Sequence, residues 1–247
     1  MKGGGAYPPS ISMEEPMKLP LSKRLEACCS FVKPGDRVAD VGCDHGYLSI
    51  HLLINNIASQ VIASDINEGP LQSAMQNAEK FGVKERIRFF LSDGVANVPR
   101  DFDTLVCAGM GGDTMIGILE AAPWLRSAEY RLILQCQSKT PMLRKYLSET
   151  GWRIAEESVL RDGRFLYTVM SVVWQPDAPE LTIGGWYFSP ALLHHPDKEL
   201  PEYYQQVCFK LRRAILGRGE NPDPQMVAAL EELESDANLQ WLKEEVK

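Results

Sequence analysis

Between about residues 19 and 175, short apolar runs of strand length alternate with runs of helical periodicity. This alternation restricts the fold more than any other feature. The strand-like runs cover 37–41, 61–64, 87–91, 104–108 and 132–134. The intervening helical patterns start near Leu21 and continue through Leu48–His51–Leu52–Leu53, 70–81, 115–122 and 141–149. Strands separated by helices pair in parallel, because parallel neighbours need crossover connections. Two further runs, 152–160 and 165–174, are joined by Arg161-Asp162-Gly163-Arg164, an Asp-Gly hairpin signal that adds an antiparallel edge. The expected fold class is α/β: a Rossmann-like sheet of five parallel strands closed by an antiparallel hairpin.

After about residue 181 the alternation stops. Helices are expected over 200–216 and 225–246, joined by a turn over 217–224, as a small coiled-coil-like appendage that must pack on the sheet domain or on a partner. At the other end, residues 1–16 are rich in Gly, Pro and Ser; disorder is expected there, with Met17 an alternative start. The expected division is a disordered extension over 1–16, a sheet domain over 17–178 and a helical substrate-binding domain over 179–247.

With 45% hydrophobic and 24% charged residues, the composition is that of an ordinary globular protein. No apolar run is long enough to span a bilayer, the first residues lack a signal-peptide pattern, and the cysteines show no metal-ligand spacing. A cytoplasmic location without membrane or metal partners is the expectation. The net charge of −7 argues against a generic nucleic-acid binder, but it is unevenly placed: from Glu220 onward eight acids stand against two lysines. Lys210, Arg212, Arg213 and Arg218, by contrast, occur without an acid between them, so a local basic stripe can still hold phosphate.

The chemistry is expected beyond the carboxyl ends of the strands, where ligands bind in open parallel sheets. The first strand runs into Asp40-Val41-Gly42-Cys43-Asp44-His45-Gly46 and then directly into a helix, while the second ends in Asp65, 19 residues after Gly46. That is the usual reach for an acid accepting ribose hydroxyls. A dinucleotide site needs a glycine two residues after the first one; here Asp44 stands in that place and would repel a pyrophosphate. S-adenosyl-L-methionine carries an ammonium and a sulfonium instead, and Asp40, Asp44, Asp65 and Asp93 suit those cations and the ribose and adenine donors. Each aspartate alone also makes a good cap or turn residue, but acids at three successive strand ends favour a ligand site. The fourth strand ends in Gly109-Met110-Gly111-Gly112-Asp113. This is either a flexible turn with Asp113 as a cap, or a place where a flat acceptor lies against backbone.

Several elements occur in one order: Leu21-Ser22-x-Arg24-Leu25, Ala39-Asp40-Val41-Gly42-x-Asp44-His45-x-Tyr47-Leu48, Gly69-Pro70-Leu71, Asp93-Gly94 and Ala108-Gly109-Met110-Gly111-Gly112. Together they resemble the bacterial tRNA (adenine-22-N1)-methyltransferase family over roughly 19–174. The resemblance implies a class I S-adenosylmethionine-dependent enzyme that methylates adenine N1 in tRNA. It implies that Gly42, Asp65 and Asp93-Gly94 line the cofactor site, and that Asp44-His45 and Gly109-Met110 face the transferring methyl and the target base. Asp65 stands where the family carries glutamate, and Gln135-Cys136-Gln137 where it carries Gln-Pro-Asn.

The candidate cofactor-binding residues are thus Asp40, Gly42, Asp44, Gly46, Asp65, Ile66, Asp93, Gly94, Val95 and Gly109. Adenine N1 attacks the methyl carbon with its own lone pair, so no general base is needed. Asp44 is expected to stabilise the positive charge that develops on the adenine, with His45 orienting it or touching the substrate. Arg24, Gly109, Met110, Gly111, Lys210, Arg212 and Arg213 are the candidate contacts to tRNA base and phosphates. Two other classes remain open at this point: a methyltransferase acting on a protein or small molecule, and a non-catalytic RNA-binding module on the same scaffold.

Overall fold

A computed structural model describes residues 19–194, 197–219 and 221–244; the expected extension over 1–16 lies outside them. The chain runs through α1 (Lys23–Ser30), β1 (Arg37–Val41), α2 (Tyr47–Ile54), β2 (Gln60–Asp65), α3 (Glu68–Lys80), β3 (Ile87–Leu91), β4 (Thr104–Gly111) and α4 (Gly112–Ala121). It continues with β5 (Arg131–Ser138), α5 (Thr140–Glu149), β6 (Trp152–Asp162), β7 (Phe165–Trp174), α6 (Ile183–Tyr187), α7 (Leu200–Gly217), α8 (Pro224–Ser235) and α9 (Trp241–Glu244). The strands form one sheet in the order β3-β2-β1-β4-β5-β7-β6. β1 to β5 pair in parallel, and β7 is antiparallel to both its neighbours.

Strand alternation sorts the buried side chains onto two faces. Ala39, Leu105, Leu132, Leu134 and Met170 pack with Met115 and Leu119 of α4 and Leu143 and Leu147 of α5. Val38, Val106, Ile133 and Val169 pack with Cys28 and Cys29 of α1, Leu52 and Leu53 of α2 and Ala74 and Ala78 of α3. Ser22 starts α1 by accepting a hydrogen bond from the Leu25 amide at 3.4 Å.

Four elements named here depart from the sequence expectation. β4 and β5 run longer than the apolar runs suggested, because β4 continues through a register shift between Ala108 and Met110; Gly109, at φ 81°, supplies the left-handed residue that the irregularity needs. The expected helix over 225–246 breaks after Ser235: Asp236 is extended and Ser-Asp-Ala-Asn favours local turns, leaving only short α9 beyond it. The short helix α6 was not anticipated; Thr182 caps it by accepting from the Gly185 amide.

The C-terminal helices share a third core with the sheet edge, as expected of an appendage too small to fold alone. Val159 of β6 packs there with Phe188, Leu200, Tyr204, Leu211, Ala229 and Leu233. The joint contains an ion pair with no solvent exposure on either side chain, Arg144 of α5 with Glu157 of β6 at 2.6 Å. The same guanidinium donates to the Trp186 and Tyr187 carbonyls at 3.2 and 2.8 Å and to the Tyr203 hydroxyl at 3.1 Å. One arginine therefore ties sheet, α6 and α7 together. Removing one partner of such a pair leaves a buried charge. Arg144→Leu should lower the unfolding free energy by about 3–5 kcal/mol in urea titration. The double Arg144→Leu/Glu157→Leu variant should recover part of that loss.

Candidate active site

The turn after β1 is fastened to β2. The Gly42 and Cys43 amides donate to the Ser64 carbonyl at 2.8 and 2.9 Å. The Asp65 carboxylate then holds two loops at once: Oδ2 accepts from the Asp44 amide at 3.2 Å and Oδ1 from the Asn67 amide at 2.9 Å. Each oxygen keeps a further lone pair, so Asp65 can still accept from ribose hydroxyls. The next residue, Ile66, is apolar yet 60% exposed.

Asp44 is one of three non-glycine residues with positive φ among the described residues (49°). This conformation is costly outside glycine and turns its side chain outward: the residue's carboxyl is 71% exposed. Beside it stands His45, whose Nε2 lies 3.6 Å from the carboxylate. His45 is itself held by its carbonyl, which accepts from Asn77 Nδ2 at 3.0 Å.

Asp40 takes a different place from the other acids. It is 3% exposed, beneath the turn, and accepts a 2.6 Å hydrogen bond from Ser49 Oγ in α2. Burial pushes its carboxyl up to about 6, against the two Ser49 hydrogen bonds that favour the charged form. Asp93 is exposed at the end of β3. Among the described residues no lysine or arginine forms a salt bridge with Asp40, Asp44, Asp65 or Asp93. The strand ends thus present carboxylates whose charge is left for a cationic ligand, which fits an ammonium and a sulfonium and not a pyrophosphate.

The glycines divide by function. At Gly42 (φ 74°) a Cβ would lie 2.3 Å from Met110 Cε, so the end of β1 and the end of β4 meet across bare backbone. Gly46, a candidate at the cofactor, makes room for α3: a Cβ there would stand 2.9 Å from Ala74 Cβ. Gly94 is positioned similarly against Ile118, and Val95 is drawn into the core with 5% exposure, so neither side chain position faces open space. Gly111 and Gly112 crowd Ser138 and Lys139, which explains their small size by strand packing; Asp113 pairs with Lys139 and does not cap α4, whose N-cap is Gly111.

Arg24 is not a free phosphate ligand. Its Nε donates to Asp162 at 2.9 Å, its Nη1 reaches Gln135 Oε1 at 3.5 Å, and its guanidinium lies over the Tyr167 ring at 5.1 Å. Gln135 Oε1 also accepts from the Gly109 amide at 3.1 Å. Fully buried Gln135 therefore links Arg24 to the β4 turn, a connection that sequence reading missed because the partners are 111 and 26 residues away. On α7, Arg212 is engaged by Glu234, whereas Lys210 and Arg213 are exposed, with Arg213 5.8 Å over Phe209. Between the β5–β7 ends and α7 lies a cavity of about 580 Å³, lined among others by Gln137, Thr168, Tyr203 and Lys210. It adjoins the β4–β5 end of the crevice and not the Asp40–Asp65 end. No group of His, Cys, Asp or Glu that could hold a metal occurs among the described residues, and no helix among them is long and apolar enough to cross a membrane.

Residues 21–170 match the family model described as a methyltransferase domain. The chain is 31% identical over 191 residues to a putative tRNA methyltransferase of Mycoplasma genitalium, covering 75% of this chain and 85% of that one. A crystal structure of a putative tRNA (m1A22) methyltransferase from Streptococcus pneumoniae superposes with a TM-score of 0.73 at 32% identity, over 91% of this chain and 98% of that one. The chain belongs to the tRNA (adenine-22-N1)-methyltransferase family. The Bacillus subtilis tRNA (adenine(22)-N(1))-methyltransferase is 33% identical over 154 residues, which span 65% of its own length and 62% of this chain. A second Streptococcus pneumoniae structure, solved in complex with S-adenosyl-L-methionine, gives a TM-score of 0.75 over 87% of this chain. In this methyltransferase the Gly42 turn, the Asp65 bridge and the Gly109 irregularity stand on the adjacent strands β1, β2 and β4.

Because the folded Asp40 carboxyl titrates near 6, above its ordinary value of 3.8, the folded state holds its proton more tightly than the unfolded state does. Its contribution is full below about pH 4 and is lost as pH rises through about 6. Asp40→Asn should therefore gain stability relative to the parent over that interval, by at most about 3 kcal/mol, as read from urea unfolding at several pH values.

Proposed function

We propose that this protein transfers a methyl group from S-adenosyl-L-methionine to N1 of an adenine in tRNA, at position 22 as in its named relatives. The observation that carries this reading is the set of uncompensated carboxylates at the strand ends, with the bare Gly42 backbone between Asp44 and Met110. When bound, the donor supplies an electrophilic methyl carbon on a sulfonium. Asp65 would hold the ribose, Ile66 would cover the adenine face, and Asp93 would accept from the adenine amino group. Buried Asp40 acts at one remove, by fixing Ser49 and the start of α2 beneath the turn.

The acceptor lies on the Watson–Crick edge, so a paired target must be unpaired or extruded before it can react. No proton has to leave N1. What the chain contributes is alignment and a negative potential where the adenine becomes cationic. We assign that role to Asp44, whose left-handed backbone and exposed carboxylate, 3.6 Å from the His45 ring, support it. Gly109 and Met110 form the opposite wall. Arg24 contributes by positioning Gln135 and Tyr167, and exposed Lys210 and Arg213 are the candidates for RNA phosphate, with cytoplasmic tRNA as the substrate pool. This reading supports a substrate role for α7 despite the acidic net charge, because the acids gather beyond Glu220.

The test is digestion of tRNA after reaction, with mass spectrometric identification of the modified nucleoside and its position. N1-methyladenosine at the expected site supports the reading; methylation indifferent to tRNA overturns it. Asp44→Ala should bind S-adenosylhomocysteine within about threefold of the parent in calorimetry. It should slow single-turnover transfer about a hundredfold or more. Lys210→Ala/Arg213→Ala should weaken tRNA binding and flatten its salt dependence, leaving donor binding unchanged.

A further inference from the structure

We infer that Phe165, at the tip of the β6–β7 hairpin, is a stacking site for an unpaired nucleobase of the RNA strand that delivers its adenine to the transfer site. The inference rests on the tRNA reading above and adds to it a contact that neither the fold nor the basic residues of α7 require. The hairpin closes through Gly163 at φ 59°, a tight turn that carries Arg164 and Phe165 out beyond the body of the sheet. Because β7 runs antiparallel to β5, this tip stands at the carboxyl end of the parallel strands, on the same rim as Gly109 and Gln137.

Phe165 is 51% exposed and belongs to none of the three cores. A large apolar ring held in water at the rim of a site is unexplained by packing. Its surroundings are those of a base-stacking platform. The exposed Arg164 guanidinium lies 4.8 Å from the ring centroid, and the Tyr167 ring meets it edge-on at 6.3 Å. Tyr167 in turn lies under Arg24, which reaches Gln135 and through it the Gly109 amide. Phe165 is thus coupled by contacts to the β4 turn. It also lines the same cavity as Gln137 and Lys210, and the Gln137 amide nitrogen sits 3.3 Å from where a Gly109 Cβ would stand. Rings interleaved with arginine and lysine, open to solvent, match the chemistry of an unpaired nucleic-acid strand, which offers a flat base for the ring and phosphates for the cations. Extrusion of a base from its stack leaves its neighbours in need of a new stacking surface, and the exposed Phe165 ring on the same cavity as Gln137 can offer one.

The experiment compares steady-state transfer to tRNA by the parent, Phe165→Ala, Phe165→Leu and Phe165→Trp, with S-adenosylhomocysteine binding and thermal midpoint measured for each. Loss of one stacked base should raise the KM for tRNA about tenfold in Phe165→Ala, with donor binding and thermal midpoint unchanged. Phe165→Trp should restore the parent value and Phe165→Leu should not. A Phe165→Ala variant equal to an active parent overturns the inference alone. Full rescue by leucine also overturns it, and assigns the ring to an apolar contact such as a protein partner. A parent that binds S-adenosylhomocysteine but does not methylate tRNA overturns the tRNA reading, and this inference with it.

Discussion

Strands β1 and β4 lie side by side in parallel, and the helices that follow them cover opposite faces of the sheet. The chain therefore diverges just past Val41 and past Gly109, and the space between the two turns is a crevice that no regular element fills. Every feature of the site follows from that divergence. Gly42 lets the first turn bend without a side chain, Met110 approaches from the second, and Asp65 enters from the neighbouring strand to hold the first turn by the Asp44 amide. If β1 and β4 were separated by another strand, the same residues would have no common ligand.

The electrostatics of the rim are set by what is missing from it as much as by what is there. Elsewhere the surface acids find partners: Asp103 with Arg37, Asp101 with Arg88, Asp162 with Arg24. At the strand ends Asp65 accepts instead from backbone amides and Asp40 from a serine, while Asp44 stands 3.6 Å from the His45 ring. Amide and hydroxyl donors orient a carboxylate without neutralising it, so the local negative potential persists into the crevice. Asp40 shows the limit of this arrangement. Taken fully inside, it holds a proton to about pH 6 and accepts from Ser49 of α2.

Beyond the sheet, the helical region is joined by a charge buried in the interface and not only by apolar packing. Arg144 satisfies carbonyls of α6 and the hydroxyl of α7 while paired with Glu157, so the relative placement of α7 and the β7 end is fixed by hydrogen-bond geometry. That placement brings Lys210 across the cavity from Gln137 and the hairpin tip. The same placement sets the exposed ring of Phe165 and Lys210 on one cavity.

Local pattern alone determined the alternating strands and helices, the hairpin turn at Asp162-Gly163, the fastening of acids to strand ends and the exclusion of a dinucleotide by Asp44. These depend on periodicity, turn chemistry and charge type, all of which act over a few residues. What each glycine is for could be decided only in three dimensions. Gly42 and Gly46 read alike in the sequence, yet one faces Met110, 68 positions on, and the other Ala74 of α3. Arg24 looked like a free cation because Asp162 and Gln135 are more than a hundred residues away. Asp40 and Asp44 both read as acids facing the donor's cations until the turn buried one and exposed the other. Helical and strand periods are written along the chain, whereas solvent exposure and pairing are properties of the packed whole, fixed by contacts between segments that have no local signature.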